Sequence, residues 1–275
     1  MSAYRNAILC GVVGLAFLLA GLASVANAHP IWVAATVVVE VIALVFSTRI
    51  RRDFEPGEPS RATWSLIVGF LSVRILAELR LLSFYFEIVP GFVTDSPTLA
   101  NVYGVWLRYL YTLADLLMVA ALLNTIRAYR SLGLQFELRV RDWVAIGAVA
   151  SMPLVVVLLR DQLTTDAKIA DAELSLTIYR MVAASVGAVI AALSLAVLRF
   201  VQLMGGGQLA RVWGAIGVAG LARAASFVAL ALLSGVSTEA ADLGEQAMLW
   251  VFASAWLVGV AWQWQISRAN ESFDA

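Results

Sequence analysis

The residues most able to do chemistry in this sequence are ionisable side chains that lie inside long apolar segments. There are eight of them: Glu40, Arg74, Glu78, Arg80, Arg108, Asp115, Arg180 and Arg223. A charged side chain at the centre of a membrane costs roughly 2.5–3.5 kcal/mol on insertion scales. These side chains must therefore pair with one another or face water, and they form the candidate site for a ligand or for an internal ion-pair network.

The spacing of the charges between residues 70 and 89 predicts a helix with two charged faces. Arg74 and Glu78 are four residues apart, which allows a direct ion pair within one helix. Arg80 lies on another face, which it shares with Glu87. A helix that presents charge to two neighbours is expected to be central to a bundle.

Three other segments contribute charges of their own. Arg108 and Asp115 are seven residues apart and share one helix face, with Tyr111 between them. Glu40 and Arg223 come from two further segments. At about 1.5 Å per residue from the segment centres, Glu40, Asp115 and Arg223 fall near the midplane and Arg108 in the outer half. Four segments are thus expected to contribute to one polar centre.

The balance of these charges leaves two interpretations open. Three acids stand against five bases, and the excess bases fall in the outer half of their segments. An outward-facing cavity there would suit a carboxylate, a phosphate or a lipid headgroup. The alternative is a closed network that fixes helix register and binds nothing.

Several classes of function are excluded by scarce residue types. Cys10 is the only cysteine and His29 the only histidine, which excludes an internal disulfide and, inside the membrane, a His-rich metal site or a Ser-His-Asp triad. Net charge is zero and no basic tract exists, so nucleic acid is not an expected partner. No cofactor is predicted, and an intramembrane enzyme is the least expected function.

The apolar segments that carry the charges predict an all-α, polytopic transmembrane helix bundle. The sequence is 61% hydrophobic and 14% charged, whereas a soluble domain has roughly 25% charged residues. Each segment is long enough to cross a hydrocarbon core of about 30 Å. The eight segments are 7–27, 31–49, 63–89, 103–124, 143–160, 176–199, 209–235 and 246–266.

The loop charges predict how the bundle is oriented in the cell membrane. Connections on one side hold twelve basic residues, whereas those on the other hold only Arg160 and Lys168. Basic residues favour the cytoplasm, which places the C-terminus inside and makes the basic inner loops a candidate surface for a protein partner. Tryptophans predict the same register: Trp32, Trp106 and Trp250 at outer ends, and Trp64, Trp143, Trp213, Trp262 and Trp264 at inner ends.

The first segment has two interpretations. Residues 1–28 have a short basic start, an apolar stretch and "ANA" before His29, a pattern typical of a cleavable signal peptide. The same residues are long enough to be an uncleaved first transmembrane helix. Residues 29–275 are expected to form the bundle in either case, as seven helices plus a signal peptide or an eighth helix.

The stretch "VYGVWLRYLYTLADLLMVAALL" resembles the third helix of microbial rhodopsins, in which an Arg-Tyr pair precedes an acid-bearing, Leu-rich stretch. Arg108 and Tyr109 carry the resemblance, which implies a seven-helix bundle of the same orientation. The final segment, "LWVFASAWLVGVAW", is similar to the retinal-bearing helix in its small residues. Lys168, the only lysine, lies in an outer loop, while Trp256 stands at the retinal-lysine position and Tyr111 at the counterion position. The resemblance therefore implies a lysine-less relative without covalent retinal.

Three functions are compatible with these features. The first is a receptor- or sensor-like bundle whose buried polar centre binds an anionic or amphipathic ligand. The second is a small proton-coupled transporter with Glu40, Glu78 and Asp115 as proton sites, gated by Arg74 and Arg223. The third is a structural membrane subunit with every charge paired. Sensing is favoured because no internal repeat or broken helix marks a transport pathway.

Overall fold

The computed structural model describes residues 29–86, 97–131, 140–163, 170–203, 207–233 and 238–271. Residues 1–28, and with them the choice between signal peptide and first helix, lie outside these ranges. The described residues contain seven helices and no strand, which confirms the all-α prediction. The helices are α1 (His29–Arg52), α2 (Pro59–Tyr85), α3 (Pro97–Ser131), α4 (Val140–Leu163), α5 (Ala170–Leu203), α6 (Gln208–Leu233) and α7 (Thr238–Glu271).

Two helices are much longer than the apolar segments that predict them. The segment 103–124 lies within α3, and the segment 246–266 lies within α7. Hydropathy marks the part of a helix that matches an apolar layer, whereas the backbone hydrogen bonds continue through polar residues on either side. Most of the connection predicted between segments 209–235 and 246–266 is accordingly helical, because the backbone is helical from Thr238 onwards.

Six of the helices close into a ring, and α4 lies outside it. Going round the ring, α1 contacts α2, α2 contacts α3, α3 contacts α5, α5 contacts α6, α6 contacts α7, and α7 returns to α1. The remaining helix, α4, packs on α5 and α6. Its large apolar side chains Trp143, Val144 and Met152 are exposed. The interior is thus built by six helices, and α4 covers part of the outer wall.

The closing contact between α1 and α7 sets the register of the ring. Trp32 packs edge-on against Trp250 with ring centroids 5.4 Å apart, and Phe46 packs against Trp264 at 5.0 Å. The two contacts are separated by the same number of residues in both helices, so α1 and α7 run parallel. Parallel first and last helices are what seven alternating helices require. Trp32 and Trp250 share one end of the bundle, as the tryptophan pattern predicts.

The distribution of side chains is the inverse of that in a water-soluble protein. Val38 of α1 is 58% exposed, whereas Glu40 beside it is 1% exposed and Arg74 is fully buried. An apolar exterior around a charged interior suits a bundle surrounded by lipid. Five helices, α1, α3, α5, α6 and α7, are long and apolar enough to cross a membrane, which is compatible with an integral membrane protein. The full seven-span organisation stays a prediction.

Two hydrogen bonds from Asn124 of α3 form a polar clamp on the N-terminal end of α2 and set the position of α2 against α3. The side-chain amide of Asn124 donates to the Pro59 carbonyl at 3.1 Å and to the Thr63 hydroxyl at 2.8 Å. Before this clamp, the chain turns from α1 into α2 through Gly57, whose φ of 100° favours glycine. The clamp fixes which residues of α2 and α3 face each other further along the two helices.

Candidate functional site

Arg74 of α2 is the centre of a buried triad with two glutamates. Its Nε donates to Glu40 Oε1 of α1 at 2.5 Å, and its Nη2 donates to Glu78 Oε1 at 3.1 Å. The contact with Glu78 is the four-residue ion pair that the spacing predicts. The contact with Glu40 joins α1 to α2. All three side chains are buried, so little water screens the interaction.

Aromatic rings cover the triad on the sides that the carboxylates leave open. The Arg74 guanidinium lies 4.7 Å from the centroid of the Phe252 ring of α7 and 5.9 Å from that of Tyr111 of α3. Tyr111 also interacts electrostatically with the Glu78 carboxylate. A cation above a ring face is stabilised by the ring quadrupole, most strongly where water is excluded. Four helices thus enclose one guanidinium.

A second buried ion pair joins α3 to α6. Arg223 donates from Nε to Asp115 Oδ1 at 2.9 Å and from Nη2 to Asp115 Oδ2 at 2.8 Å, the bidentate geometry that makes Arg–carboxylate pairs strong. Its Nη1 donates to the Ser226 hydroxyl at 3.1 Å. The ring of Phe227 lies 4.3 Å from the guanidinium. Every nitrogen of this guanidinium therefore has a hydrogen-bond acceptor.

The two ion clusters are neighbours in the same interior. Tyr111 and Asp115 are one helical turn apart on α3, so α3 contributes one residue to each cluster. The positive charge of Arg223 acts on Glu40, and that of Arg74 acts on Arg223. The structure thus brings together most of the predicted polar centre as a triad beside a pair.

The charge balance of this interior differs from that of the eight residues taken together. Among the side chains that the structure describes, the buried charged groups are three acids, Glu40, Glu78 and Asp115, and two bases, Arg74 and Arg223. Arg80 and Arg108 are only half-buried, and the side chain of Arg180 lies outside the described part of the chain. The described buried set therefore has one more acid than bases, the reverse of the balance of the eight residues.

Arg108 of α3 lies apart from both clusters. Its guanidinium is 5.5 Å from the centroid of the Tyr179 ring of α5, and no carboxylate among the described side chains forms an ion pair with it. Tyr179 in turn interacts electrostatically with Asp115, Arg223 and Glu245. Arg108 thus contacts a tyrosine that also interacts with the buried pair, and it lies nearer than Asp115 to the Pro97 end of α3.

A close contact between α5 and α6 supports the ring that covers Arg223. A Cβ atom added to Gly187 would lie 2.8 Å from Cδ2 of Phe227, which is too close for an unperturbed contact. The absence of a side chain at this position leaves room for the Phe227 ring beside α5. Gly187 therefore helps to hold Phe227 over the guanidinium.

Several residues of the site were not singled out from the sequence. Ser226 and Phe227 follow Arg223 by three and four residues, a spacing that places them on its helix face and could have been recognised. Phe252 reaches Arg74 only through the packing of α7 in the ring, for which no local pattern exists. Glu245 lies just before the predicted segment 246–266, and the structure places it on α7, where its charge acts on Arg223.

No protein-family model, curated protein or solved structure matches the chain.

Proposed function

We propose that this protein is a receptor- or sensor-like, seven-helix membrane protein that binds an anionic or amphipathic small molecule through Arg108. In this proposal the C-terminus lies in the cytoplasm of the cell, and the basic inner loops contact a protein partner. Kinship with lysine-less rhodopsin-like bundles is part of the proposal and rests on Arg108 and Tyr109 in the sequence. The observation that carries the ligand site is the difference between Arg108 and the other two interior arginines.

That difference lies in the partners of the three guanidinium groups. Arg74 and Arg223 have carboxylate partners on other helices and are buried. Arg108 is half-buried, and its described contact is the ring of Tyr179. A planar cation stacked on an aromatic ring keeps its N–H groups available for a carboxylate or phosphate. This arrangement suits a ligand with an anionic head and an apolar body.

The transporter alternative is less well supported by the same geometry. Glu40, Glu78 and Asp115 are 1%, 3% and 3% exposed, and each is bound to an arginine. A proton-coupled carrier needs a water path to its midplane acids, whereas a receptor needs a cavity that ends in the outer half. The structural-subunit alternative fits the two buried clusters and differs from the proposal only at Arg108.

Binding of two anionic amphiphiles tests the proposal directly. Purified protein in neutral lipid nanodiscs is titrated with oleate and with a short-chain phosphatidic acid, and binding is measured by calorimetry. Removing one hydrogen bond to a charged group costs about 1.5–3 kcal/mol. Arg108→Ala is therefore expected to weaken binding about 10- to 100-fold, and Arg108→Lys is expected to weaken it less.

The matched control is Arg211→Ala, because Arg211 is an exposed arginine at the start of α6. Its removal is expected to leave the affinity unchanged. The absence of binding by the wild type, or equal affinities of wild type and Arg108→Ala, would contradict the proposal. Accumulation of either probe inside proteoliposomes would favour the transporter instead.

A further inference from the structure

The two buried arginines use the same pair of nitrogens in different ways. Arg223 presents Nε and Nη2 to both oxygens of one carboxylate, that of Asp115. Arg74 presents Nε and Nη2 to one oxygen from each of two carboxylates, those of Glu40 and Glu78. Because the two nitrogens lie on one edge of a rigid guanidinium, the two glutamate carboxyl groups are held next to each other.

This arrangement leaves the triad with an uncompensated charge. If all groups were ionised, the pair of Asp115 and Arg223 would be neutral, whereas the triad would carry one net negative charge. Such a charge in a buried, lipid-surrounded interior costs several kcal/mol, and two adjacent carboxylates also repel each other. We propose that the triad is a proton-binding site: at neutral pH Glu40 and Glu78 share one proton, and the remaining carboxylate neutralises Arg74.

The described groups that face the triad from the surrounding helices do not supply the missing positive charge. From α3, Tyr111 contributes a neutral phenol, and from α7, Phe252 contributes an aromatic ring. From α6, Arg223 acts on Glu40, but its own charge is already matched by Asp115. Glu245 of α7 is a further acid, and it acts on Arg223.

The shared proton also suits the hydrogen-bonding geometry of the triad. Glu40 Oε2 is buried and has no hydrogen-bond partner among the described side chains. A buried oxygen without a hydrogen bond costs much less free energy in a neutral carboxyl group than in a carboxylate. The proton comes from solvent and belongs to the pair of carboxyl groups rather than to one of them. Loss of the shared proton would leave two carboxylates that repel each other at the contact between α1 and α2. The site therefore makes that contact sensitive to pH.

Infrared spectroscopy detects this proton directly. A protonated carboxyl group has a carbonyl band that a carboxylate lacks, and the band shifts in deuterated buffer. The wild type at neutral pH is expected to show this band, whereas Glu40→Gln and Glu78→Gln are each expected to lose it, because one glutamate then pairs with Arg74 in a neutral, unprotonated pair. The control Glu58→Gln, which changes an exposed acid before α2, is expected to keep the band.

A second readout compares the tolerance of the two clusters to the loss of one acid. Glu78→Gln is expected to fold nearly as well as the wild type, whereas Asp115→Asn removes the carboxylate of a one-to-one pair and is expected to fold poorly. The folded wild type should also release close to one more proton than Glu78→Gln when the pH is raised, because only the wild type holds the shared proton.

Three results would overturn the proposal, which is independent of ligand binding at Arg108. The first is a wild-type spectrum without the protonated-carboxyl band, as expected if a bound metal cation neutralised the triad. The second is a band that persists in both single glutamine variants. The third is failure of both variants to fold, since a triad that shares a proton should accept an amide in place of either acid.

Discussion

The bidentate pair between Asp115 and Arg223 predicts a large energetic coupling between α3 and α6. Asp115→Asn leaves the Arg223 guanidinium buried without a carboxylate, and Arg223→Gln leaves the Asp115 carboxylate buried without a cation. An unpaired charge at the centre of a membrane helix costs about 2.5–3.5 kcal/mol. Each single substitution is therefore expected to lower the free energy of unfolding by about that amount.

The double variant, Asp115→Asn with Arg223→Gln, is expected to behave differently. It removes both charges, and the amides that replace them can still form an interhelical hydrogen bond, which in membranes contributes about 0.6 kcal/mol on average. Its expected loss is below about 1 kcal/mol, because no unpaired charge remains. Each single variant thus loses about 3 kcal/mol of stability, whereas the double variant loses less than about 1 kcal/mol. The sum of the two single losses minus the loss of the double variant is the coupling energy, which is about 5 kcal/mol.

Reversible unfolding in mixed detergent and SDS micelles, followed by circular dichroism, measures the four free energies of this cycle. Arg211→Gln serves as the control, because Arg211 is an exposed arginine on α6, and it should change stability by less than about 0.5 kcal/mol. A coupling energy near that of an ordinary hydrogen bond, about 0.6 kcal/mol, would refute the ion-pair reasoning. A double variant less stable than either single variant would refute it as well.

Two further predictions concern the triad and the contact between α5 and α6. Arg74→Leu is expected to lower the yield of monodisperse protein after extraction, and adding Glu78→Gln should recover only part of it because Glu40 still lacks a cation. Complete recovery without changing Glu40 would exclude that residue from the network. Gly187→Leu is expected to destabilise the protein by about 1–3 kcal/mol through overpacking against Phe227, and Gly187→Ala by less. Identical thermal melts of wild type and both variants would contradict this.

The parts of the site that depend on local spacing could be predicted from the sequence. Arg74 and Glu78 are four residues apart on one helix, and the structure places them in contact. The positions of Glu40, Asp115 and Arg223 inside apolar segments were enough to predict a shared polar centre. A charge that lipid cannot solvate must lie in the interior, so depth in a segment carries information about contact.

The choice of partners could not be predicted in the same way. Arg74 binds Glu40, whereas Arg223 binds Asp115, and nothing in the spacing of these four residues excludes the opposite pairing. The choice follows from the order of helices round the ring and from the position of α4 outside it. Both depend on the packing of side chains between helices that are distant in sequence, for which hydropathy contains no signal.

The separation in sequence between the partners has a consequence for how the protein is synthesised. Glu40 and Arg74 are 34 residues apart, so in the predicted seven-span organisation α1 and α2 would enter the membrane as a hairpin with paired charges. Asp115 and Arg223 are 108 residues apart. At a synthesis rate of about 5–20 residues per second, Arg223 is translated roughly 5–20 s after Asp115. If α3 spans a membrane as predicted, its insertion during that interval would need protonation of Asp115 or help from the insertion machinery, and the ring is completed only when α6 and α7 have been made.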